Sequence, residues 1–262
     1  MADKLEVIER GSVTDRHPVP LLFVHGAWHA AWCWDEHFLD FFAENGYRAV
    51  ALSLRGHGRS PTDKPLRWCS IADYVADVGS VADGLPRPPV IVGHSQGGYV
   101  VQKYLERHPV PAGVLMASTP PRGYLGSGLR WFKRHPWHFT RILITGNSLN
   151  SVNSPELARE RFFSARTPEA LVRKYAARLQ EEGARSGVEG LLVPPRPKRV
   201  ATPMLVLGAL DDGAVSRHEV HATARAYRTV ADFFDGGHDM MLEPGWRAVA
   251  ERIDSWLTAK GL

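Results

Sequence analysis

Val90-Ile-Val, a run of β-branched apolar residues, ends in Gly93-His94-Ser95-Gln96-Gly97, and residues 98–106 then space their apolar side chains as a helix does. That is strand, sharp turn, helix. A serine at the apex of so tight a turn takes strained backbone angles, and its neighbours must be small for strand and helix to approach each other; Gly93 and Gly97 meet that need. The hydroxyl stands clear of the sheet, which makes Ser95 the candidate nucleophile. Any fold open to this chain has to bring a strand end, this serine and a helix start to one point.

The flanking sequence repeats the strand-then-helix pattern. Short apolar runs at 20–26, 47–53, 90–94 and 113–117 read as strands, with residues 5–9 as an opening edge strand. Residues 34–46 form a helix stopped by Asn45-Gly46, and 70–83 form one capped by Ser70. Alternation at this spacing predicts βαβ units and a mostly parallel central sheet flanked by helices, an α/β fold. The alternation stops at residue 119. From there to 198 the sequence predicts only helices and turns, with starts at Ser154-Pro155-Glu156 and Thr167-Pro168-Glu169, a helix over 129–143 broken at Pro136, and a stiff link at 194–197. Strands resume at 203–208 and 229–234, with helices at 217–227 and 246–257. The expected organisation is a core domain of residues 1–118 and 199–262, interrupted by a helical cap at 119–198.

Charge is uneven. Residues 121–199 hold fifteen Lys and Arg against six Glu, so this segment is near +9 and the remainder near −5. A basic cap predicts a solvated arginine surface, with anionic substrates or weak association to anionic lipid as the functional alternatives. No nucleic-acid motif is present. Cys33 and Cys69 lack the paired spacing of a disulfide framework or zinc site. No apolar run has signal-peptide or membrane-span length, so the expected location is the cytoplasm.

A serine hydroxyl needs a general base to attack an acyl carbon. His238, between glycines and the last helix in Asp235-Gly-Gly-His-Asp239, is the expected base. The base needs a carboxylate to fix its tautomer. Asp211 and Asp212 both follow the strand at 203–208; Asp211 is the expected partner and Asp212 the alternative, with Asp235 and Asp239 set aside as solvated loop carboxylates. Oxyanion donors are expected from the backbone N–H groups of Gln96, after the serine, and Ala27, in the turn His25-Gly-Ala-Trp28. Trp28, Trp32, Trp131, Phe132 and Trp137 are the candidate lining of an apolar substrate pocket.

Five motifs in order, His25-Gly-Ala-Trp28, Leu54-Arg-Gly-His-Gly-Arg-Ser60, Gly93-His-Ser-Gln-Gly97, Gly208-Ala-Leu-Asp211 and Gly237-His238, resemble the α/β-hydrolase superfamily in its serine esterase and lipase-like branch with a helical cap. The resemblance implies a sheet of eight strands or slightly fewer and a serine hydrolase cleaving carboxylic esters, thioesters or lipid esters through an acyl-enzyme, with no metal or organic cofactor and a small-molecule ester as partner. Many relatives have aspartate where this chain has Ser53, which predicts a different supporting contact there. Serine at 95 argues against dehalogenase or epoxide hydrolase chemistry. The Gly-Ala-Trp loop also resembles plant hydroxynitrile lyases and methylesterases, so a cofactor-independent lyase, an acyltransferase or a ligand-binding protein with a hydrolase pocket stand as alternatives.

Overall fold

The computed structural model describes residues 4–262. Seven strands form one sheet: β1 (Val7–Arg10), β2 (Leu21–Val24), β3 (Ala49–Leu52), β4 (Val90–His94), β5 (Gly113–Met116), β6 (Met204–Ala209) and β7 (Ala231–Phe234), in the order β1-β3-β2-β4-β5-β6-β7. Only β1 runs antiparallel, against β3; every other pairing is parallel. These are the seven strands read from the sequence, with the edge strand beginning two residues later.

Among the described residues eleven α-helices accompany them: α1 (Trp32–Asp35), α2 (Phe38–Glu44), α3 (Ile71–Asp83), α4 (Ser95–Tyr104), α5 (Leu125–Arg134), α6 (Pro136–Thr145), α7 (Pro155–Phe162), α8 (Glu169–Ala176), α9 (Ala184–Leu192), α10 (Arg217–Ala226) and α11 (Trp246–Thr258). Successive strand side chains point to opposite faces. Leu21 and Phe23 therefore pack with α1, α2 and α11, whereas Leu22 and Val24 pack with α3, α4 and α10. Phe23 sits 5.0 Å from the Trp34 ring and 5.6 Å from that of Phe42. Truncating it to alanine would cost ~3–5 kcal/mol.

The strand order positions the site. The chain steps from β2 outward to β3, then returns past β2 to β4, so β2 and β4 are neighbours whose connections leave in opposite directions. Val24 pairs with Gly93, which sets the turn after β2 beside the turn after β4. A crevice outside the carboxyl ends of the strands opens at such a reversal.

Every described helix or strand between β5 and β6 is helical. These helices rest on the loops at that carboxyl edge: the Gln180 N–H donates to the Trp28 carbonyl, the Gly58 N–H to Gln180 Oε1, and the Asp239 N–H to the Phe162 carbonyl. Local details depart from expectation where side chains found stronger partners. Ser154 caps α7 as predicted, accepting the Leu157 N–H. Thr167 does not cap α8; its hydroxyl donates to the buried Glu243 at 2.7 Å, and α8 starts after Pro168. The helix expected over 34–46 is two pieces, broken at Glu36-His37. No described helix is long and apolar enough to cross a membrane.

Candidate active site

Ser95 is the first residue of α4 and has φ +50°. This left-handed angle at a non-glycine residue is costly and has to be held in place by its surroundings. The surroundings are tight. A Cβ on Gly97 would collide with the carbonyl oxygens of Val24 and His25, and one on Gly93 would come within 2.7 Å of Gly98 Cα. Both glycines are needed because helix, β2 and β4 meet here with no room for a side chain.

The Ser95 hydroxyl lies 2.8 Å from His238 Nε2. On the other side of the ring, His238 Nδ1 donates to Asp212, 2.8 Å from Oδ2 and 3.0 Å from Oδ1. The histidine and aspartate side chains are both 1% exposed. Serine, imidazole and buried carboxylate therefore form one hydrogen-bonded line that can pass a proton from hydroxyl to ring while stabilising the resulting imidazolium.

The expected Asp211 is not in this line. Its side chain is 56% exposed and pairs with Arg166 at 3.7 Å, while its N–H donates to the Gly236 carbonyl. Asp212 turns inward because its Oδ1 also accepts the N–H groups of Ala214 and Val215, both at 2.7 Å. An aspartate that closes the turn behind it in this way is fixed before it meets the histidine. The Asp-Gly-Ala-Val sequence just ahead of the Ser216 helix cap was the available signal.

The N–H groups of Ala27 and Gln96 have no acceptor among the described residues. They stand on the two adjacent turns, after β2 and at the start of α4. Trp28, which follows Ala27, is also left-handed at φ +64°.

A buried brace behind these groups was not read from the sequence. His29 Nδ1 donates to the Ala27 carbonyl at 2.8 Å and its Nε2 to Asp239 Oδ2 at 3.0 Å. Both ring nitrogens face acceptors; burial opposes charge on the ring, but the Asp239 carboxylate outweighs burial and raises the His29 pKa. The same partner holds the Asp239 carboxyl below its ordinary value against burial. Asp239, expected to be solvated, is fully buried and ties the turn bearing Ala27 to the loop that carries His238. His94 Nε2 donates to the His238 carbonyl at 3.0 Å. Burial, with His238 adding to it, pushes His94 down to about 3, so it is neutral.

Ring nitrogens and a carboxylate of His94, His238 and Asp239 lie within 4.8 Å of one another. A metal there would have to take a His238 nitrogen from Ser95 or Asp212. At position 53, the Ser53 hydroxyl donates to Glu6 at 2.7 Å and accepts from the Ala31 N–H at 3.0 Å. Glu6, a residue that sequence reading passed over, thus supplies the carboxylate that position 53 lacks.

Of the expected pocket aromatics, Trp28 and Trp131 are drawn together by Arg161, whose guanidinium carbon is 4.7 and 4.8 Å from their ring centres. Trp32 is buried against His29 and Tyr175, with Arg178 over its ring. Phe132 and Trp137 are 43% and 72% exposed: α5 turns Trp131 inward and presents Leu125, Leu129 and Phe132 outward, and Trp137 lies on the outer side of α6. In the other direction, Phe162 stacks 6.0 Å from the His238 ring.

A model of the alpha/beta hydrolase family matches residues 21–252. The chain is 39% identical over 110 residues to a non-heme chloroperoxidase of Streptomyces lividans, covering 40% of this chain and 39% of that protein. It is 37% identical over 107 residues to a bifunctional esterase/perhydrolase of Acinetobacter calcoaceticus, covering 39% of this chain and 38% of that one. The aligned stretch thus spans about two fifths of either relative's length. An esterase from Exiguobacterium antarcticum superposes with a TM-score of 0.75 over 96% of this chain and 94% of its own, at 17% identity, which is a likeness of fold. Matched over most of its length, and built on the same sheet, this chain belongs to the alpha/beta hydrolase family.

Proposed function

We propose that this protein is a serine carboxylic-ester hydrolase, with Ser95 as nucleophile, His238 as general base and Asp212 as the acid that orients it. The observation that carries this reading is the pair of 2.8 Å contacts on opposite sides of the His238 ring, to Ser95 Oγ and Asp212 Oδ2. Ser95 Oγ attacks the acyl carbon as its proton passes to His238 Nε2. The tetrahedral oxyanion is held by the N–H groups of Ala27 and Gln96, and the ring then gives the proton to the departing alcohol. Water, deprotonated by the same nitrogen, releases the acid and restores Ser95. Residues 119–198 act as the cap that decides which ester arrives.

A fluorophosphonate probe tests this directly. It labels Ser95 in the wild type and leaves folded Ser95→Ala unlabelled; folded wild type that resists labelling overturns the reading. A p-nitrophenyl ester series of increasing chain length then maps the acyl side.

A second reading, acyl transfer to an acceptor other than water, is favoured by the relative named a bifunctional esterase/perhydrolase. It shares the acyl-enzyme and differs only in what attacks it. Partition of one ester between water and added hydroxylamine separates the two, and failure to trap any acyl-enzyme by mass spectrometry points instead to acid–base lyase chemistry.

A further inference from the structure

Arg161 lies one residue before Phe162, at the end of α7. It is partly buried, and its guanidinium rests against the rings of Trp28 and Trp131. Trp28 is pinned: its Nε1 donates to Ser148 Oγ at 3.1 Å, and that hydroxyl donates to Glu181 at 2.9 Å. Trp131 is 7% exposed. The Nε atoms of both Trp131 and Arg161 are buried donors without an acceptor.

The neighbouring cations of the same segment are satisfied differently. Arg159 pairs with Glu169, Arg166 with Asp235 and Arg178 with Glu36. Among the described residues the Arg161 side chain has no hydrogen bond or ion pair, and the carboxylates near it are engaged: Glu160 by Arg134 and His135, and Asp212 by His238. Burial lowers the Arg161 pKa to about 10, which leaves it cationic at neutral pH. Cation–π contact with two indoles contributes to holding such a charge but satisfies none of its N–H groups. A half-buried cation whose Nε–H is buried without an acceptor is suited to an anion.

Its position says which anion would matter. Trp28 directly follows Ala27, and the Phe162 ring stands 5.9 Å from Trp28 and 6.0 Å from His238. Arg161 is therefore held between the turn expected to bind the oxyanion and the segment that covers the base. Resting on the hydrolase reading above, we propose that Arg161 is a specificity residue that binds a carboxylate carried by the ester substrate, through a charge-assisted pair with the guanidinium fork.

Two substrate pairs test this and locate the carboxylate. Monomethyl against dimethyl glutarate places it on the acyl side; 3-acetoxypropionate against its methyl ester places it on the leaving-alcohol side. In at least one pair the wild-type kcat/KM should favour the carboxylate-bearing member by roughly ten- to a hundredfold. That ratio should fall towards one in Arg161→Gln and be partly retained in Arg161→Lys. A wild-type ratio near one in both pairs overturns the proposal whether or not the variants fold, as does a ratio that persists in Arg161→Gln. If the wild type turns over none of the four esters, it is the hydrolase reading that fails. Glutarate titrated into Ser95→Ala, followed by tryptophan fluorescence, then decides the anion site alone: saturable quenching weakened about tenfold or more by adding Arg161→Gln supports it, and no quenching overturns it.

Discussion

Asp212 Oδ2 stands 2.8 Å from His238 Nδ1, while Asp211, its neighbour in the chain, faces Arg166 at the surface. The two aspartates should therefore separate sharply on substitution. Asp212→Asn leaves the ring in place but presents it with the wrong tautomer, and kcat on p-nitrophenyl acetate should fall on the order of 10⁴-fold. Asp211→Asn removes an exposed pair and should change kcat by less than about threefold. Equal losses would mean that the carboxylate facing His238 has been misidentified.

The turn at Ser95 predicts an asymmetry among glycines. Gly97→Ala drives a methyl group into the carbonyls of Val24 and His25. Urea denaturation should show a loss of about 1–3 kcal/mol, with kcat falling as the serine is displaced. Gly187, inside α9, has nothing within 4 Å of an added Cβ. Gly187→Ala should instead stabilise by about 0.5–1 kcal/mol.

A second buried ion pair makes stability depend on pH. Glu182, between α8 and α9, meets His57 at 3.2 Å and also accepts from Tyr74 at 2.7 Å. Against burial, His57 and these donors hold Glu182 at about 2 instead of 4.5, and Glu182 in turn raises His57 above 6.5. The depressed glutamate stabilises fully above pH 4.5 and loses that contribution as pH falls towards 2. The raised histidine stabilises fully below pH 6.5 and loses its contribution as pH rises through its folded value. Thermal midpoints of wild type and Glu182→Gln should differ most between pH 4.5 and 6.5 and converge on both sides. A difference that does not vary with pH would sink the assignment.

The outward face of α5 and α6 predicts a response to membranes. Leu125, Leu129, Trp137 and Ile144 are 70, 51, 72 and 77% exposed. Residues 107–155 contain no Asp or Glu. Arg130 and Arg134 on this face pair with Glu219 and Glu160, but apolar side chains beside Lys133 and Arg141 suit an anionic bilayer surface. Anionic phosphatidylserine vesicles should raise activity on long-chain p-nitrophenyl esters severalfold at low salt and lose that effect as screening increases. Equal rates with neutral phosphatidylcholine vesicles would return these cations to an ordinary solvated surface.

Strand positions were readable because buried parallel strands are short apolar runs bounded by glycine and proline, and the Ser95 turn because its small neighbours leave a local signature. The choice between Asp211 and Asp212 was not. Past Ala209 the chain leaves the sheet, so alternation no longer assigns a face, and the deciding contacts are two N–H groups of the following turn. His29 and Asp239 were passed over for another reason. They are 210 residues apart in sequence, and each looks like a polar loop residue until the fold buries both together. Thr167 shows the same limit at short range, where a capping pattern lost its hydroxyl to a buried glutamate from the far end of the chain.

The Phe162 carbonyl receives the Asp239 N–H, and a Cβ on Gly237 would strike that carbonyl and Phe163. The end of α7 is thus fastened to the very loop that carries His238. Exchange of the 119–198 segment between relatives would not be modular: a transplanted segment that lacked the Phe162-Phe163 junction would also shift the loop that holds His238. Selection for a new substrate in this protein would work through side chains hung on a fixed strut, with the strut itself passed on unchanged.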